Sequence, residues 1–293
     1  MKATEIAAFL GEPLHGADLD VAGPASLANA RPRSVVFAAE FSEQALRALN
    51  AQPALLALLG REFHGKVAVS HIVTGNPRLA FARVLGRFFA PPRMAGIAPS
   101  ARVSARATLG ANVRIGEYAV IEEGATIGDN TELRHHVVVG RGVSIGADCL
   151  VKSHAVIGEE GFGFDFDAAR TPVRLPHVGG VRIGDRVEIG CGTCVCRGTL
   201  DDTVIADDVK IDDLVYIAHN VSIGQGTLVI GKAAVSGSVR IGRHCWIAPA
   251  AALINNISVG DRAVVGIGAV VTKDVPAGAV VAGNPARQIG GAP

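Results

Sequence analysis

Rings are scarce in this 293-residue chain: aromatic residues make up 4%, with one Trp and two Tyr, against 49% hydrophobic residues overall. A core so apolar and so poor in rings must be filled by Val, Ile, Leu and Ala. Net charge is lacking too, since 28 Lys and Arg against 27 Asp and Glu leave only +1. A nucleic-acid binder usually carries a clear basic excess, so that class is set aside. No apolar run approaches the ~20 residues of a membrane span. The opening MKATEIAAFLGEPLHG has a lysine but neither a continuous apolar region nor a small-residue cleavage site, so no secretory signal is expected. Five cysteines are an odd number in a chain too large to depend on disulfide staples. A reducing cytoplasm is the expected setting.

Glycine, with 36 copies, is abundant, and much of it belongs to an internal repeat. An aliphatic residue recurs every six positions from Ile97 through Val103, Leu109 and Ile115 to Ile157. The pattern breaks at 159–180, returns at Ile183, Ile189 and Val195, and slips near Asp201. It then runs without a gap from Ile205 through Ile211 to Val271. Two residues before the aliphatic sits a small or β-branched side chain, as at Ala95, Ala101, Ala107 and Val113. Glycine often follows it, as at Gly110, Gly116 and Gly128.

A period of six fits neither the 3.6 of an amphipathic helix nor simple strand alternation. It fits a solenoid in which each side is a short strand and a turn, with one large aliphatic residue pointing inward. Three sides close a coil of 18 residues, and coils stack at the ~4.8 Å spacing of neighbouring strands. Glycine after the aliphatic relieves crowding where the chain bends. The spacing predicts eight to nine coils.

Residues 1–92 lack the hexad. There LNAQPALLALLGREF and NPRLAFARVLGRFF read as helices, with Asn76-Pro77 starting the second. PRSVVFAAEF and KVAVSHIVTG read as short strands. A small α/β domain over 1–92, joined through Pro91-Pro92, is thus expected to precede a solenoid domain over 93–273 and a turn-rich tail over 274–293. The segment 159–180 holds three of the ten phenylalanines. It is too long for a coil corner and reads as an excursion loop over a cleft, where Phe162 and Phe164 would form a wall.

The segment IAHNVSIG puts His219 two residues after an inward aliphatic, at a corner. One coil later VSGSVRIG puts Gly237 in the equivalent place, so its N–H would lie about one strand spacing from the imidazole. A base beside a bare backbone donor is what acyl transfer from a thioester requires: one takes a proton from the nucleophile, the other stabilises the oxyanion. Asp212, seven residues before His219, is a carboxylate able to hold the ring in one tautomer. Spacing alone leaves an ordinary surface histidine equally open.

The hexad pattern resembles the left-handed parallel β-helix of bacterial acyltransferases. More specifically, GEEGFGFD, RIGDRVEIG, RGTLDDTVIADDVKID, YIAHNVSIG and SGSVRIG resemble the UDP-3-O-(3-hydroxyacyl)glucosamine N-acyltransferases of lipid A assembly. LGEPLHGADLDVAGPASLANA and NPRLAFAR are similar to the nucleotide-binding domain of that family. The resemblance implies a mainly β protein, a left-handed β-helix behind a small α/β domain, working as a cytoplasmic homotrimer with active sites between subunits. It implies His219 as general base, the Gly237 N–H as oxyanion donor and Asp212 as partner of the histidine. It implies a nucleotide-linked amino sugar as acceptor, an acyl carrier protein or coenzyme A thioester as co-substrate and no tightly bound cofactor. Phe37 would stack on the nucleobase, and Asn220 and Asn256 would position substrate.

Three departures qualify it. Asn256 stands where the family carries a second histidine, and asparagine cannot carry a proton at neutral pH. Glu43 stands where the family has the second stacking aromatic, leaving Phe41 as a substitute. In place of C-terminal helices the chain reads VVGIGAVVTKDVPAGAVVAGNPAR, similar to the end of coenzyme A-dependent sugar acetyltransferases. There Lys273 and Arg287 would meet donor phosphates, and a short-acyl coenzyme A donor is the alternative reading.

Cys191, Cys194 and Cys196 give C-x-x-C-x-C, but Cys194 and Cys196 share a strand face and read as structural, as do Cys149 and Cys245 in the small-residue slots. A zinc carbonic anhydrase on this scaffold needs two histidines five apart, and no pair among the nine has that separation. No metal site is expected. A non-catalytic scaffold remains the third class, which turnover by a His219→Ala variant separates.

Overall fold

One inward residue in six requires that each side of the coil be little more than a strand of two residues, and the chain folds that way. The computed structural model describes residues 1–93 and 96–291; Ala95, in the first small-residue slot, and the last two residues of the tail, Ala292 and Pro293, lie outside the described residues. Two compact units result, Met1–Arg93 and Met94–Pro293.

In the second unit, strands such as Arg114–Ile115, Val120–Ile121 and Thr126–Ile127 succeed one another around the coil. They stack in three sheets of eight, nine and ten strands. Register follows the repeat: Ile127 pairs in parallel with Leu109 on one side and Ile145 on the other. The columns this builds are dry, with Ile127 and Ile145 each 1% exposed and Ile157 and Ile217 fully buried. Each such side chain contributes about 1.5–3 kcal/mol of transfer free energy. Glycine after the aliphatic is required by the close approach of the coils. A Cβ at Gly128 would meet the Gly146 carbonyl carbon at 2.5 Å. The left-handed corners go instead largely to residues such as Asn112, Asn130 and Asn220, with φ of 56°, 57° and 59°.

The two irregularities have structural counterparts. Ile145 pairs with Ile183 and Ile157 with Val195, so the segment between leaves the solenoid and the stack closes across it. Within it Phe164–Phe166 and Pro172–Arg174 form an antiparallel hairpin. Ile183 then pairs with Ile205 before the regular spacing resumes at Ile223. The tail closes the last coil: Val275 bridges to Val259, and Ala279–Ala282 adds to Val264–Val265. Arg287–Gly291 folds back antiparallel on it. Cys149 and Cys245 occupy buried slots, their thiols donating to the carbonyls of Gly184 and Gly260.

The first unit holds a five-stranded sheet in the order Leu14–His15, Ser70–Val73, Leu56–Leu59, Ser34–Ala38, Gly23–Pro24. The two expected strands form, and Asn76 caps the helix Pro77–Val84 by accepting from the Leu79 N–H at 3.0 Å. The other expected helix does not exist. LNAQPALLALLGREF contains the end of helix Glu43–Asn50, then the strand Leu56–Leu59 and a short turn of 3-10 helix. The reason is that Leu55 through Leu59 are all fully buried. A run bounded by Pro53 and Gly60 and covered on both faces is a central parallel strand. Helix Ala3–Leu10, also unforeseen, packs its Ile6 into the core.

Candidate active site

Two residues past the buried Ile217, the chain turns a corner and presents His219. Ile217 pairs with Val235 and Val235 with Leu253, so the residues two positions beyond each, His219, Gly237 and Asn255, lie in successive coils. All three line one open cleft of about 420 Å³, together with Phe162, Tyr216, Ser236 and Asn256 among others. The expected register is therefore present. A Cβ on Gly237 would stand 2.7 Å from His219 Nε2, which fixes how close that backbone lies to the ring. Among the described residues no acceptor within the chain takes the Gly237 N–H.

The tautomer of His219 follows from its neighbour. The Asn220 side chain donates from Nδ2 to the Asp201 carbonyl at 2.9 Å, and its Oδ1 accepts from the Thr199 N–H at 3.0 Å. With the amide so fixed, the oxygen is what faces His219 Nδ1, 3.1 Å away. Nδ1 must then carry the proton and donate, with Thr199 Oγ1 a further 3.4 Å contact. Nε2 is left as a bare lone pair on the Gly237 side. Behind the ring, His177 from the excursion segment packs edge-on with 5.0 Å between centroids. It is 3% exposed, donates from Nδ1 to the Leu175 carbonyl and leaves a buried Nε2 without a partner among the described residues.

Asp212 is not brought to the imidazole within the chain. Its carboxylate accepts from the Gly231 N–H at 3.0 Å. Seven residues is one side of the coil plus one, so Asp212 follows the strand Lys210–Ile211 whereas His219 follows Tyr216–Ile217, in a different sheet. Within the chain the side chain that meets His219 Nδ1 most closely is that of Asn220. Asn256, with φ 62°, occupies the corner beside Asn255 and donates its own N–H to the Gly237 carbonyl. Phe162 lines the cleft while 81% exposed, and Phe164 supports it at 4.9 Å under the Arg174 guanidinium. Lys273 and Arg287 are exposed and outside the lining of this cleft.

In the first unit Phe37 packs over Phe81 at 4.9 Å, whereas Phe41 packs over Phe63 at 5.1 Å and lies under the Lys66 ammonium. Phe81 and Phe63 belong to different apolar clusters. Phe37 and Phe41 therefore rest on different apolar clusters. Glu43 opens the helix Glu43–Asn50 and is exposed.

Near the cleft, Cys194 and Cys196 stand with sulfurs 4.0 Å apart, and Cys196 is 3.6 Å from the Tyr216 hydroxyl. A hydrogen bond from Cys194 lowers the Cys196 pKa to about 7, against the opposing effect of burial. The same pairing raises that of Cys194, and burial followed by the bond to Cys196 raises Tyr216.

A parallel hexad solenoid with a tautomer-fixed imidazole beside a glycine amide defines an acyltransferase of the hexapeptide-repeat class. The model of the bacterial transferase hexapeptide (six repeats) family matches residues 106–141 and 124–159. UDP-3-O-acylglucosamine N-acyltransferase of Campylobacter curvus is 39% identical over 97% of this chain and 92% of its own, and that of Coxiella burnetii 35% identical over 89% and 82%. The chain belongs to the UDP-3-O-acylglucosamine N-acyltransferase family. A further relative of that name from Delftia acidovorans is 44% identical, but the match spans 42% of this chain and 37% of that one. Among solved structures, the UDP-N-acetylglucosamine O-acyltransferase of Moraxella catarrhalis superposes with a TM-score of 0.60 at 27% identity, over 67% of this chain and 74% of its own. The corresponding acyltransferase of Francisella novicida gives 0.61 at 25%, over 67% and 70%.

Proposed function

We propose that this chain transfers an acyl group from a thioester to the amine of a UDP-linked 3-O-acylated glucosamine. The observation that carries the reading is the bare His219 Nε2 beside the unpaired Gly237 N–H. Nε2 takes a proton from the sugar amine as its nitrogen attacks the thioester carbonyl. The resulting oxyanion accepts from the Gly237 N–H. Collapse breaks the C–S bond, and the departing thiolate recovers the proton from the imidazolium. The Asn220 oxygen, accepting from Nδ1–H, steadies the cation in between. Asp212 acts by holding Gly231 in place, one coil side away.

Phe162, Asn255 and Asn256 line the cleft where the sugar and acyl chain would lie, and Phe37 in the first unit would stack on the uracil. The working form is a cytoplasmic homotrimer. Large side chains left exposed on the solenoid, Leu214 at a corner at 58% and Trp246 on a strand at 44%, support packing of further copies there. Acyl carrier protein is the favoured carrier from family membership. Coenzyme A is the second reading, favoured by the GNPAR-type tail, with Lys273 and Arg287 as exposed cations for its phosphates.

A donor panel tests this. Acetyl-, butyryl- and 3-hydroxyacyl-coenzyme A are compared with 3-hydroxyacyl carrier protein, with the UDP-linked amino sugar as acceptor. Turnover with the long-chain carrier protein alone is the expected result. Turnover with short coenzyme A esters supports the second reading, and no turnover with any of them contradicts both.

A further inference from the structure

Three histidines that no sequence spacing singles out converge in the first unit. The edge strand Leu14–His15 runs antiparallel to Ser70–Val73 with His15 directly opposite His71, and His64 follows the 3-10 turn Arg61–Phe63. One ring nitrogen from each lies within 4.8 Å of the others. His64 Nδ1 is 3.4 Å from His71 Nε2. Two imidazole nitrogens bound to one tetrahedral ion at about 2.05 Å stand about 3.3 Å apart, so this pair already has the ligand separation.

The arrangement around the cluster has the same character. His71 is 7% exposed and its Nδ1–H donates to the Val69 carbonyl at 2.9 Å. That bond fixes the tautomer and aims a bare Nε2 at His64, which is how metal-binding imidazoles are commonly oriented. Burial, and then the nearby His15 and His64, lower the pKa of His71 against the pull of the Val69 carbonyl, which favours the neutral ring that a metal needs. His15 is half-buried and His64 exposed, so an ion has a way in and a fourth position open to solvent.

We propose that His15, His64 and His71 form a site for a divalent zinc ion. Bound there, the ion ties a two-residue edge strand to the neighbouring strand and to the turn after Phe63. Its effect is on the stability of the first unit and not on the chemistry at His219. An all-imidazole set suits zinc and its first-row neighbours, not magnesium or calcium.

Full-length protein stripped by a chelator is titrated with Co²⁺ and then with competing Zn²⁺, followed by absorbance and thermal melting. The expected result is one ion per chain, visible bands of nitrogen-ligated tetrahedral cobalt, displacement by zinc and a higher melting temperature with metal. His64→Gln, at an exposed position that does not threaten folding, is expected to weaken binding by at least about tenfold. His136→Gln, in the corner stack of Tyr118, His136 and His154, leaves it unchanged. Three results overturn the proposal: no ion bound at micromolar concentration, binding that survives His64→Gln, or a thiolate-to-cobalt band that puts the ion on Cys194 and Cys196.

Discussion

Gly237 lies so close to the His219 ring that no side chain fits between them: an added Cβ would stand 2.6 Å from Cε1 and 2.7 Å from Nε2. Real Cβ atoms do not approach other heavy atoms that closely, so either the ring or the coil must move. Gly237→Ala keeps the amide N–H but displaces the ring or the coil, and is therefore expected to lower kcat by about a hundredfold, as an ångström-scale misplacement of a catalytic group does. The fold should survive, because the φ of Gly237 is not left-handed. Near-normal kcat in a folded Gly237→Ala variant would contradict the close seating of the His219 ring against that coil.

The orienting role of Asn220 separates from that of Asp212. Asn220→Gly keeps the left-handed corner accessible but removes the acceptor for Nδ1–H, and a loss of about tenfold to a thousandfold in kcat is expected. Asp212→Asn, which still offers an oxygen to the Gly231 N–H, should leave kcat/KM within a few-fold. Steady-state kinetics of the two variants decide it: a large loss for Asp212→Asn beside a small one for Asn220→Gly reverses the assignment.

The thiol pair makes a prediction about pH. With Cys194 donating to it, Cys196 ionises at about 7 in the folded chain, below its ordinary 9.0. A depressed acid stabilises the native state above its unfolded pKa, and that contribution is lost as pH falls through the folded one. Stability from this group should thus rise between about pH 7 and 9.0. Ultraviolet titration of thiolate should find one thiol ionising near the lower value in wild type and none there in Cys194→Ala. An unchanged titration in the variant sinks the pairing.

Phe162 is almost fully exposed yet lines the cleft. Phe162→Ala should change unfolding free energy by less than about 0.5 kcal/mol, as surface truncations do. Its KM for the acyl donor or sugar should rise severalfold. An unaltered KM for both would remove Phe162 from the binding surface.

Much of this was legible in the sequence because a solenoid turns spacing into position. One inward Ile or Val per six residues gave the coil, and the coil gave the His219–Gly237 stack. The same arithmetic carried one coil further reaches Asn255. Where the period fails, so does the reading. Thr199 reaches His219 across the slip near Asp201, and His177 arrives from an excursion of irregular path, so neither has a register to be read from. Distance along the chain brings Asp212 near His219, but a corner between two sides separates them. In the first unit the Leu55–Leu59 run shows the usual ambiguity of a short apolar stretch: burial on both faces, not periodicity, made it a strand.

The single-turnover rate of acyl transfer by His219→Ala, followed from pH 5 to 8 beside wild type, bears on the base most directly. Wild type should lose rate as pH falls, because a protonated base cannot accept a proton. The variant should be slower by about a hundredfold or more, with a native melting curve and no such dependence. A variant within a few-fold of wild type, or a wild-type profile flat over that range, would contradict the account.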